Sequence, residues 1–87
     1  MTASEALRDI RGYAQVNRLR YSIHAITRMD ERNATRGDVK NALITATSCT
    51  SQGGTKWKVT GGVDLEGDPL GIAVVLDGDV LIVTVLG

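Results

Sequence analysis

The chain of 87 residues has one cysteine, one proline, no phenylalanine and no net formal charge. Cys49 alone excludes an intrachain disulfide and a multi-cysteine metal centre, and it fits a reducing compartment. Aromatic residues are limited to Tyr13, Tyr21 and Trp57. The core is therefore expected to be aliphatic and modest, and burial of further area in a homo-oligomer or against a partner suits a chain of this length. Neutrality argues against the general attraction to nucleic acid that a highly basic domain has. No stretch approaches the ~20 apolar residues of a membrane span, and the segment after Met1 lacks the apolar core of a signal peptide. The expectation is a single cytoplasmic domain over 1–87, with no membrane association.

The charge that is present is unevenly placed. Residues 1–40 carry Arg8, Arg11, Arg18, Arg20, Arg28, Arg32, Arg36 and Lys40 against Glu5, Asp9, Asp30, Glu31 and Asp38. The remainder carries Lys56 and Lys58 against five acids. A basic first half thus faces an acidic second half.

Within that first half, His24, Arg28 and Arg32 recur every fourth residue from Tyr21 to Arg32. On a helix this spacing puts the only histidine and two arginines on one polar face, with Arg20, Thr27 and Glu31 beside them. Ile23, Ala25, Ile26 and Met29 are expected on the opposite, buried arc. Imidazole exchanges protons near neutral pH, and forked guanidinium groups beside it hold phosphate. Arg and Glu on such a face are equally what an ordinary solvated helix carries.

Three helices are predicted in order. Thr2 and Glu5 form a capping box ahead of the stripe Ala3, Ala6, Leu7, Ile10, Tyr13 and Ala14, with Gly12 opposite it, predicting a first helix to about Asn17. Ser22 is the N-cap candidate of the second helix, and Asn33 closes it in the left-handed region. Thr35 and Asp38 open a third helix with Val39, Ala42, Leu43 and Ala46 inward, ending near Thr47.

From Ser48 onward the pattern changes to strands. Ser48–Gln52 suits a short edge strand, and Gly53-Gly54 a turn. Lys56–Leu65 alternates, with Trp57, Val59, Val63 and Leu65 of one parity, so the Gly61-Gly62 pair marks either a bulge in one strand or a break between two. Leu70–Leu76 and Val80–Leu86 are continuous apolar runs joined by Asp77-Gly78, the signature of a hairpin of central strands. The fold class is α+β, with two to three N-terminal helices packed on an antiparallel sheet of about four strands.

The second helix reads His24-Ala25-Ile26-Thr27-Arg28-Met29-Asp30-Glu31-Arg32. With Asp38-Val39, Ala42-Leu43, Gly62-Val63-Asp64, Glu66-Gly67-Asp68-Pro69-Leu70 and Ile82-Val83-Thr84-Val85, it resembles a domain-of-unknown-function family with an H-A-x-x-R-M-x-x-R helix. The resemblance runs from about Tyr21 to Gly87. The family's closing T-V-Y stands here as Thr84-Val85-Leu86. Such domains occur in bacterial toxin–antitoxin modules, often beside a zinc-finger antitoxin, and their layout is similar to the RelE, barnase and EndoU (BECR-type) ribonuclease fold. The resemblance implies the toxin of a type II system, a metal-independent endoribonuclease with a cognate antitoxin of zinc-finger or helix-turn-helix type.

Such a reaction needs a group that moves the 2′-hydroxyl proton and cations that stabilise a phosphorane. His24 suits the first task, and Arg28 and Arg32 the second. Arg20, Lys56 and Lys58 are candidates for binding the RNA strand, whereas Trp57 shares the parity of Val59 and belongs to the core. Cys49 has no evident activating neighbour, and one histidine without a cysteine cluster does not make a zinc site, so no cofactor is expected. The contrasting expectation is a non-enzymatic interaction module whose basic helix face binds an acidic partner.

Overall fold

Each helix begins where a short polar side chain precedes an apolar stripe. In the computed structural model, which describes residues 1–86, α1 (Ala3–Gln15) is opened by a capping box between Thr2 and Glu5. α2 (Ile23–Glu31) starts at Ser22, whose hydroxyl accepts from the Ala25 N–H. α3 (Arg36–Thr45) has a second capping box, between Thr35 and Asp38. Asn17 and Asn33 follow α1 and α2 with φ of 58° and 55°, the left-handed geometry that ends a helix.

Four strands, β2 (Ser48–Ser51), β3 (Lys56–Thr60), β4 (Gly71–Leu76) and β5 (Val80–Leu86), form the expected antiparallel meander. A fifth strand, β1 (Leu19–Tyr21), joins them where only a connection between helices was expected. It pairs in parallel with β5, so the sheet order is β1-β5-β4-β3-β2. β3 ends at Thr60, and Val63 makes only an isolated bridge to Pro69, so the Lys56–Leu65 alternation is one strand followed by a loop.

The register divides the sheet into two faces. Leu19, Tyr21, Val80, Ile82, Val85, Ile72, Val74, Leu76, Trp57, Val59 and Cys49 share one parity and contribute to a single core. Ala6, Ile10 and Ala14 of α1, Ala25 and Met29 of α2, and Val39, Ala42 and Leu43 of α3 complete it. α1 packs on α3, β2 and β5, while α2 packs on β5. At about 25 cal/mol per Å² of apolar surface removed from water, this one cluster is the main source of stability.

α2 sits differently from the expectation. Ala25 and Met29 are buried, but Ile23 is 86% and Ile26 46% exposed, while Arg28 is half-buried. The helix is rolled so that the side running through Ala25 and Met29 meets β5, and the two isoleucines turn outward. A single helix with four apolar residues leaves that roll undetermined; the partner surface sets it.

Candidate functional site

A β-bulge positions α2. Ala73 pairs with Thr84 but Val74 pairs with Ile82, so Val83 is the extra residue in β5. Its carbonyl accepts from the Ser22 hydroxyl at 2.9 Å, and the Ile82 carbonyl accepts from the Ser22 N–H at 3.0 Å. Ser22 thereby ends β1, starts α2 and ties both to β5. The first turn of α2, with His24, is fixed to the sheet at that point.

Along α2, His24, Arg28 and Arg32 lie at successive turns, as their spacing requires. His24 is exposed, and no side-chain hydrogen bond among the described residues orients its ring. Arg28 comes within 4.0 Å of Glu31. Arg32 is the C-cap of α2 and lines a cleft of about 310 Å³ with Asp38, Asp64, Glu66 and Asp68. That surrounding is acidic and suits an anionic substrate poorly. His24 and Arg28 do not line that cleft.

The second sheet face carries the other three candidates. Arg20, Leu81, Val75 and Lys56 form one cross-strand row, and Thr84, Ala73, Lys58 and Thr50 the next. Lys56, Lys58 and Thr50 are exposed, and Val75, Leu81 and Thr84 partly so. Ser48 and Thr60 continue the hydroxyl-bearing surface with their oxygens 2.8 Å apart. Arg20 belongs to this face but is already engaged. Its guanidinium donates to both oxygens of Asp79, at 2.6 and 3.1 Å. The pair holds the Asp79 carboxyl below its ordinary range and raises the Arg20 group. Lys56 and Lys58 are in no ion pair among the described residues. Arg20 thus closes the β4–β5 turn onto β1, while the two lysines stay exposed.

Cys49 is buried, its thiol donates to the Ala3 carbonyl, and burial pushes its pKa up, all opposite to what a nucleophile requires. Trp57 is buried in the core, on the parity expected of it. Among the described residues no group of three or more His, Cys, Asp or Glu side chains is placed to hold a metal ion, and no helix is long and apolar enough to cross a membrane.

Residues with no assigned task in the sequence reading also come together. Tyr21 of β1 carries the Arg36 guanidinium 4.6 Å above its ring, and Tyr13 carries that of Arg18 at 5.5 Å. The i, i+4 spacing of Arg36 and Lys40 was a visible signal. The aromatic beside them was not, because β1 itself depends on pairing with β5.

Three helices feeding one core on a mixed, mostly antiparallel sheet define an α+β domain with an open second sheet face and a helix carrying His24 and Arg28 beside the bulged strand. The chain belongs to the family described as a domain of unknown function, DUF4258, whose profile matches residues 21–86. Neither the curated proteins nor the solved structures include a match to it.

Proposed function

We propose that this chain is an endoribonuclease of the toxin type, acting on RNA without a metal. The observation that carries this reading is the exposure of cations on two surfaces, the open face of the sheet and the outer side of α2. The sheet presents Lys56 and Lys58 with exposed hydroxyls beside them, and α2, anchored to β5 through Ser22, presents His24 and Arg28. Lysines on a hydroxyl-bearing strand face hold successive phosphates of a single strand without reading its sequence. His24 then takes the 2′-hydroxyl proton as that oxygen attacks the adjacent phosphorus, and the P–O5′ bond breaks to give a 2′,3′-cyclic phosphate, the departing 5′-oxygen taking a proton from water. Arg28 stabilises the charge that the phosphorane gains. Arg20, held by Asp79, contributes to the shape of the face, and Arg32 stands apart on the acidic cleft.

The purified chain is tested on end-labelled RNA in the presence of EDTA, with product ends identified. The expected result is a 2′,3′-cyclic phosphate and a 5′-hydroxyl. Loss of a general acid or base should reduce the rate of the His24→Ala variant by about two to four orders of magnitude. Intact RNA with folded wild-type protein overturns the reading.

A second reading, an interaction module, is favoured by Ile23 and Ile26, exposed one turn apart on α2. It also describes how a cognate antitoxin engages the toxin. An apolar contact on the isoleucines, with acidic residues over His24 and Arg28, gives an interface that loosens with salt where the exposed charges dominate. Pull-down of the protein encoded by the adjacent gene, followed by a salt titration, measures this directly.

A further inference from the structure

The cleft between β1 and α3 lies apart from every residue assigned a task above. It is lined by Asn17, Leu19, Tyr21, Arg36, Gly37 and Lys40, with a volume of about 370 Å³. Its construction follows from the topology. β1 is the last strand of the sheet, so beyond it no further strand covers the helix-side parity, on which Leu19 and Tyr21 both lie. Arg36 and Lys40, one turn apart on α3, overhang that parity from the other side. Asn17, turned into the left-handed region at the end of α1, closes one end.

The contents are one-sided in charge. No carboxylate lines the cleft, and neither Arg36 nor Lys40 is in an ion pair among the described residues. Lys40 is only partly exposed, and Arg36 is held over the Tyr21 ring. Two cations drawn together without a counter-charge repel each other, and an anion between them removes that cost. A forked guanidinium beside an ammonium suits a phosphate that carries two charges. The cleft is much larger than a lone phosphate needs, and the half-buried Leu19 and Tyr21 give it an apolar wall suited to a flat or sugar-like body.

We propose that this cleft binds a nucleoside 5′-monophosphate group, with the phosphate on Arg36 and Lys40 and the nucleoside against Leu19 and Tyr21. The same chemistry is carried by a free nucleotide and by the 5′-phosphorylated end of an RNA strand. Both sources meet the cleft through the same two cations. The site contains none of His24, Arg28, Lys56 or Lys58, so nucleotide binding and RNA cleavage succeed or fail separately.

The experiment is a titration of the whole isotope-labelled chain with adenosine 5′-monophosphate, followed by amide NMR. Saturable shifts are expected at Asn17, Leu19, Tyr21, Gly37 and Lys40. Adenosine without phosphate should bind at least about tenfold more weakly, as the loss of one charge-assisted contact implies. Arg36→Gln and Lys40→Gln should each weaken binding about tenfold or more, while Arg8→Gln, a cation on the far stretch of α1, should not. Lys40 stacks on no ring, so Lys40→Gln carries the test if Arg36→Gln perturbs folding. Equally tight binding of a 5′-phosphorylated tetranucleotide at the same amides identifies a strand end as the carrier; its exclusion identifies the free nucleotide. No saturable shift at millimolar nucleotide, equal binding of adenosine, or an equal loss in Arg8→Gln overturns the proposal.

Discussion

Gly62 sits where the chain leaves β3 and passes beneath α3, and a Cβ built on it would collide with the Ala42 carbonyl oxygen, carbon and Cα. That obstacle is helix backbone and cannot swing aside, so Gly62→Ala is expected to destabilise by at least about 2 kcal/mol, as overpacking against an unyielding wall does. Chemical denaturation of the variant checks this. Gly61 has φ of 81°, and a Cβ there would strike the Thr47 side chain, so the pair marks a close approach rather than a bulge. Asp38 provides a residue-level prediction with a sign in pH. Its carboxylate accepts from the Thr35 and Leu65 backbone N–H groups, and these bonds hold its pKa below the ordinary value. A depressed folded pKa contributes stability that is present above the unfolded value, near ~3.9, and is lost as pH falls through the folded value. The denaturation midpoint should therefore drop steeply below pH ~4. Asp38→Asn should be less stable at neutral pH and show a shallower acid slope. Glu5 and Asp79 are shifted in the same direction and leave part of the slope in place.

At the scale of elements, what was legible in the sequence is what is local. Both capping boxes connect residues three apart, and the Asp77-Gly78 hairpin joins adjacent strands, so each is written within a few positions. β1 has three residues, and its partner in β5 lies about sixty positions away, so no local pattern announces it. The same distance hid the Arg20–Asp79 pair, which changes Arg20 from a free cation into a closure of the fold. The roll of α2 shows the limit of periodicity. Four apolar residues on nine positions fit more than one buried arc, and β5 selects the one through Ala25 and Met29. Two substitutions measure that selection. Met29, 6% exposed, should lose about 2–5 kcal/mol on truncation to alanine through the cavity left behind. Ile26→Ala should cost well under half as much, since much of its side chain is already in water. Equal losses would return α2 to the orientation drawn from the sequence alone. The site followed the same rule: the spacing of His24 and Arg28 could be read from the chain, whereas the acidic surroundings of Arg32 depend on a loop about thirty residues away.

For the whole molecule, the matched family segment begins at Tyr21, inside β1, yet the core does not. Ala6, Ile10 and Ala14 are fully buried on α1, which packs on α3, β2 and β5, and the Cys49 thiol of β2 donates to the Ala3 carbonyl. Leu19 and Arg20 supply two of the three residues that pair with the start of β5. Removing residues 1–20 would uncover the apolar faces of α3 and the sheet beneath α1 and leave the Val80 edge of β5 unpaired. A domain of this size is stable by roughly 4–13 kcal/mol on ordinary per-residue values. Truncation of the single side chain Ile10 to alanine costs about 2–5 kcal/mol on its own. Loss of the entire helix together with two-thirds of β1 should therefore consume most or all of the margin. The expected outcome for a chain of residues 21–87 is poor amide dispersion, strong binding of a hydrophobic dye and no cooperative thermal transition, with Ile10→Ala in the full chain folded but shifted to a lower midpoint. If residues 21–87 alone melt cooperatively with dispersed amide signals, α1 is an accessory to a self-sufficient fold, and the stability of the domain has to be assigned to the sheet and α3.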